Sequence, residues 1–87
     1  MLDTIPGPNE VPFDPTLPSI RLVQQWIRRQ QTLVMVLHQG QRLQGQLLWQ
    51  DPIALALQLH EGQELVLVQR QSIALIYPAA VSLEAVP

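Results

Sequence analysis

The chain has no cysteine and no lysine. The first absence excludes disulfides and thiolate metal sites. The second makes every fixed positive charge on a side chain a guanidinium, which favours planar, stacked or bidentate contacts over diffuse attraction. Charged residues are 14% and aromatic residues 5% of the 87 positions. So sparse a charge cannot solvate a whole surface, and some apolar or amide-rich area calls for a cover. Hydrophobic residues reach 47%, which argues against a disordered chain. One small domain is the expectation, and small domains need disulfides, metals or oligomerisation to help a modest core. The two histidines, His38 and His60, are too few for a metal cage, so no metal or other cofactor is expected. Oligomerisation is the remaining staple. No apolar run approaches the roughly 18 residues of a membrane span. The opening Met1-Leu2-Asp3 has neither a basic nor an apolar leader pattern, so no membrane insertion and a cytoplasmic location are expected.

What charge there is lies unevenly. The net charge is −2. Residues 1–16 hold Asp3, Glu10 and Asp14 and no base, and the tail 79–87 holds Glu84. All five arginines fall between 17 and 78, against Asp51, Glu61 and Glu64. A mildly basic body therefore sits between acidic ends. Pro6, Pro8, Pro12 and Pro15 exclude helix and sheet from residues 1–16, which read as a flexible acidic arm.

The body changes period once. Ile20, Val23 and Ile27 recur at helical spacing with Leu22 and Trp26 beside them, and Arg21, Gln24, Gln25, Arg28 and Arg29 take the other face. The spacing predicts an amphipathic helix over 17–31, with Thr16 as N-cap and Pro18 in the first turn. Strands follow at about 32–39, 41–51, 53–60, 64–69 and 72–77, with turns at Gln39-Gly40 and Glu61-Gly62-Gln63. Along 41–51, Leu43, Gly45, Leu47 and Trp49 alternate with Arg42, Gln44, Gln46 and Gln50, and Gly45 marks a bend or bulge. The last two strands are apolar on both faces, an aggregation hazard unless another copy pairs with them. The class is mainly β with one N-terminal helix: a five-stranded, strongly bent antiparallel barrel. No Ser/His/Asp, Cys/His or paired-carboxylate constellation and no phosphate-binding glycine loop occurs, so no enzyme is expected.

Gly40, Leu43-Gln44-Gly45-Gln46 and Asp51 on a bent second strand resemble the first Sm motif of the bacterial Sm-like protein family Hfq. The meeting of two short strands at Gln69-Arg70-Gln71, running on to Pro78, resembles its second motif. Leu17-Pro18-Ser19-Ile20-Arg21 and Leu48-Trp49-Gln50-Asp51 look like the cyanobacterial branch. The resemblance spans 17–78 and implies a homohexameric ring that binds RNA in post-transcriptional regulation, as an RNA chaperone does. One subunit's fourth strand would pair with the next subunit's fifth. It implies a proximal pore site at Arg70, Gln71, Ser19 and Ile53, a distal site at Gln41, Arg42 and Gln44, and a rim at Arg28 and Arg29. Several positions depart from the family pattern. Gln69-Arg70-Gln71 stands for a Tyr-Lys-His triplet, Ile53 for a stacking aromatic, Ser19 for a base-reading glutamine and Val36 for the tyrosine that floors the distal pocket. An aromatic–base stack is worth about 1–3 kcal/mol, so weakened RNA binding is expected. The cyanobacterial branch further implies phototaxis and docking to the type IV pilus machinery, with a pilus assembly ATPase as the protein partner. A ring that only scaffolds proteins, without RNA, is the alternative.

Each of these residues also has an ordinary structural reading. Arg70 is a pore phosphate ligand or a turn residue. Arg28 and Arg29 are a rim patch or the wet face of a helix. Gln41, Arg42 and Gln44 are a binding face or the polar side of a strand. Trp26 and Trp49 read as core or subunit packing rather than stacking surfaces, and Asp51 as a carboxylate that satisfies backbone donors at a strand end rather than a base. The thirteen glutamines solvate the surface or contact base edges.

Overall fold

The structure is a computed structural model that describes residues 14–81. Residues 1–13, most of the proline-rich arm, and residues 82–87 lie outside the described residues. Helix α1 (Pro18–Arg28) leads into β1 (Thr32–Leu37), β2 (Arg42–Gln50), β3 (Ala54–Leu59), β4 (Leu65–Gln69) and β5 (Ile73–Pro78). A single 3-10 turn, Arg70–Ser72, joins β4 to β5.

Pro18 opens the helix as the sequence predicts, but Thr16 is not its cap. The N-cap is Leu17, in extended conformation and without a side-chain hydrogen bond. Thr16 is engaged one step earlier, donating its N–H and its hydroxyl to Asp14 Oδ1 at 2.9 and 2.6 Å. The helix also ends sooner than its periodicity. Gln30 takes φ 54°, its N–H donates to the Ile27 carbonyl, and the Gln31 N–H donates to the Trp26 carbonyl. That pair of bonds is a Schellman closure with glutamine at the left-handed position. Ile20 and Val23 are buried, Trp26 and Ile27 pack on the core, and Leu22 stays exposed.

The five strands form one antiparallel sheet in the order β4-β3-β2-β1-β5. Leu33, Met35, Leu47, Leu55, Leu57, Val68 and the helical Val23 make its core. Each fully buried leucine contributes about 1.5–3 kcal/mol. The bent sheet does not close on itself: β4 pairs only with β3, and β5 only with β1. Val66 and Val68 face the chain's own core, whereas Leu65 and Leu67 project outward, Leu67 63% exposed.

Two features of β2 decide where side chains point. Gly45 lies against β3 so closely that a Cβ there would collide with the Gln58 carbonyl oxygen and come within 2.8 Å of its carbon and 3.0 Å of Leu59 Cα. The glycine thus serves a close approach, and the bulge lies elsewhere, at Leu48, where the β2–β3 register slips between Leu47 and Trp49. The slip reverses parity. Trp49 pairs with Ala56 and is 45% exposed, and Gln50 pairs with the buried Leu55, on the side the helix covers. Trp49 therefore leaves the row of Leu43, Gly45 and Leu47 that simple alternation predicts for it, and Gln50 joins that side.

Candidate nucleic-acid interface at the β4–β5 junction

The short turn after β4 brings distant residues together. The Arg70 N–H donates to the Ile53 carbonyl at 2.8 Å. Ile53, in the β2–β3 loop, keeps a side chain 68% exposed. Gln71 is exposed in the same turn as Arg70, and Ser19 is exposed in the first helical turn, beside Ile20. Arg70, Gln71 and Ile53 are thus neighbours, and Ser19 belongs to the helix end tied to them through Gln50.

That tie runs through side chains. The Arg70 guanidinium donates from Nε and Nη2 to the Asp51 carbonyl at 3.1 and 2.9 Å, and from Nη2 to Gln50 Oε1 at 2.9 Å. Gln50 Nε2 donates to the Ile20 carbonyl and to Gln24 Oε1, both at 3.2 Å. The amide orientation follows from chemistry: a guanidinium only donates and a backbone carbonyl only accepts, so the oxygen of Gln50 must face Arg70. Burial pulls the Arg70 guanidinium below its ordinary pKa, and the Asp51 charge opposes that shift. Arg70 remains a cation at neutral pH.

The Asp51 carboxylate accepts the N–H groups of Ala54 and Ile53 at 2.8 and 2.9 Å, as expected of an acid at a strand end. Those two bonds, the Ala54 one first, hold its carboxyl below the ordinary value of 3.8, with a smaller contribution from Arg70. A depressed native pKa gives stability that is complete above the unfolded-state value and lost as pH falls through the native one. Thermal melts of the wild-type chain should therefore drop as pH is lowered from about 4. Asp51→Asn should have a lower melting temperature at pH 7 and a shallower fall below pH 4. The slope that remains includes Asp14, which its bonds from Thr16 shift in the same direction. Equal slopes in the two proteins would show that the Asp51 cap does not stabilise the loop.

The other candidate residues lie elsewhere. Gln41, Arg42 and Gln44 are exposed at the start of β2. Cross-strand register puts Leu75, Val36 and Arg42 in one row of the outer face and Tyr77, Val34 and Gln44 in the next. Tyr77 is an aromatic on that face that composition and motif do not single out. It takes that side because its neighbour Ile76 pairs with the fully buried Met35, and the register slip between Val36 and Leu37, which puts both Ile73 and Ile76 on the core, hides this from simple alternation. Arg28 and Arg29 are exposed at the helix C-terminus, where positive charge complements the helix dipole. Pro18, Arg21, Leu22, Gln25 and Arg28 line a shallow open groove along the helix. His38 and His60 are exposed, and Trp26 is half-buried on the core. Among the described residues no group of three or more His, Cys, Asp or Glu could hold a metal ion. No described helix is long and apolar enough to cross a membrane.

One helix followed by five antiparallel strands in a bent, open sheet is the Sm-like fold. The model of the Hfq-related family matches residues 17–78, and the chain belongs to that family. It is similar to the crystal structure of an Hfq protein from Anabaena sp., a cyanobacterium, with 30% identity and a TM-score of 0.64 over 72% of this chain and 98% of that one. A crystal structure of the pleiotropic translational regulator Hfq shares the fold at 12% identity, with a TM-score of 0.62 over 67% of this chain and 93% of that one. Among curated proteins no sequence matches the chain.

Proposed function

We propose that the chain assembles into a homohexameric Sm-like ring that binds RNA in post-transcriptional regulation, weakly and with little sequence preference, and that the ring also docks a protein. The observation that carries this reading is the clustering of Arg70, Gln71 and Ile53 beside a sheet with two open edges. Strands of five and six residues at opposite ends of one sheet suit head-to-tail pairing between copies, and such an interface closes into a ring when its rotation closes. Six copies of Arg70 around one opening would focus positive potential on it. Base recognition is the weak part. Ile53 offers an apolar surface but no aromatic face, and Val36, between Arg42 and Leu75, offers none either. Phosphate contacts position a strand without specifying its sequence. Proximal contacts fall to Arg70, Gln71, Ser19 and Ile53, distal ones to Gln41, Arg42 and Gln44, and rim contacts to Arg28 and Arg29. This is a binding protein without catalysis, working in the cytoplasm.

Protein docking finds support in the exposed Leu48 and Trp49, an adjacent apolar pair on a chain poor in charge. The likeness to a cyanobacterial Hfq makes the type IV pilus machinery, through its assembly ATPase, the proposed partner. A salt titration with uridine-rich and adenine-rich oligomers tests the RNA reading. Binding should be similar for both and fall steeply with salt. Arg70→Ala should weaken both alike and flatten the slope of log K against log salt by roughly 0.7 for each phosphate that is no longer neutralised. Tight, sequence-selective binding at physiological salt would contradict weakened pockets. No binding at low salt would leave the protein scaffold as the function.

A further inference from the structure

Arg70 is the cation proposed above to meet RNA, and the groups that surround it compete for the same hydrogens. Its guanidinium can grip a phosphate bidentately in two ways, through Nε with one terminal nitrogen or through both terminal nitrogens. When the terminal nitrogen beside Nε is Nη2, both ways require Nη2. Both Nη2 hydrogens are engaged here, one by the Asp51 carbonyl and one by Gln50 Oε1, and Nε also donates to the Asp51 carbonyl. Gln50 is itself fixed, because its two amide hydrogens go to the Ile20 carbonyl and to Gln24 on α1. It reaches this place only because the bulge at Leu48 turns it under the helix.

We propose that Gln50 is a positioning residue that governs phosphate binding by Arg70: anchored on the helix, its amide oxygen holds the guanidinium against the β2–β3 junction and keeps it from a full bidentate grip on an RNA phosphate. The inference rests on Arg70 being the main phosphate contact, as proposed above. The Asp51 acceptor is a backbone carbonyl that no substitution removes. Gln50 is a member of the latch that substitution can adjust, and Gln24 an outer support that orients it.

The test is oligouridine binding across a salt series by the wild-type chain, Gln50→Met, Gln24→Ala, Arg70→Ala and the Gln50→Met/Arg70→Ala pair. Methionine keeps the length of glutamine and removes its hydrogen bonding. Gln50→Met should bind about tenfold more tightly, equivalent to about 1.4 kcal/mol, and its salt slope should steepen. Gln24→Ala should shift affinity the same way by a smaller factor, and it carries the test if Gln50→Met does not fold. In the Arg70→Ala background, Gln50→Met should change nothing. A merely structural glutamine would alter melting temperature without moving the salt slope. Unchanged or weaker binding by Gln50→Met, with Arg70→Ala still reducing affinity, would overturn the latch and leave the RNA reading standing. Arg70→Ala without effect on binding would overturn both.

Discussion

Gly45→Ala should be the most damaging conservative substitution in the chain. One methyl group would be driven into the Gln58 carbonyl of β3, and its neighbours there are backbone atoms that cannot rotate aside. Either β2 and β3 separate, with loss of their pairing on both sides of Gly45, or the residue shifts and the core row of Leu43 and Leu47 moves with it. Overpacking in a well-filled interior costs about 1–3 kcal/mol, and a backbone clash belongs at the top of that range or above it. For a domain of this size, 3 kcal/mol lowers the melting temperature by roughly 12–24 °C. Gly40→Ala is the control. A Cβ at Gly40 meets open space, so its penalty comes only from a φ of +97°, about 1–2 kcal/mol. Melts of both variants at one chain concentration should rank Gly45→Ala well below Gly40→Ala. The reverse order would mean that β3 yields easily to β2.

Leu67→Asp should dissolve the ring while sparing the fold of the subunit. Leu67 sits on the edge strand β4 and is 63% exposed in the single chain, so a charge there meets water. In the ring proposed here the edge is covered by the neighbour's β5, whose Leu75 is also exposed in the single chain. A carboxylate buried without a partner costs several kcal/mol, and the penalty recurs at every interface. Leu67→Ala removes area without adding charge and should weaken assembly less. Sedimentation should show the aspartate variant at the mass of one chain, with a folded circular dichroism spectrum. Val66→Asp and Val68→Asp cannot serve here, because both valines pack on the subunit's own core. A ring that survives Leu67→Asp would place the subunit interface elsewhere.

Order and type of the elements are legible in the sequence because periodicity is strong there. Ile20, Val23 and Ile27 mark a helical face, and the turns at Gly40 and Gly62 take the positive φ that glycine allows. The exposed apolar edge is legible as well, since Leu65 to Val68 leave no polar face for solvent. Local competition hides the rest. Thr16 has the right chemistry for a cap, but Asp14 two residues earlier takes its hydrogens. Counting in twos along β2 assigns Trp49 and Gln50 to the wrong sides, because a one-residue bulge at Leu48 inverts the count. Gln50 therefore reads as one more surface glutamine, although it ties α1 to Arg70. Arg70 itself stands out from the second-motif resemblance, but spacing does not reveal the acceptors that hold it.

The most direct measurement is the native mass of the unmodified full chain in solution, by native mass spectrometry or light scattering. A ring of six gives one species of about 59 kDa, six times the 9.8 kDa subunit, stable over a wide range of dilution. A stable species at 9.8 kDa would contradict the ring, and with it the sixfold pore on which the roles proposed for Arg70 and Gln50 depend.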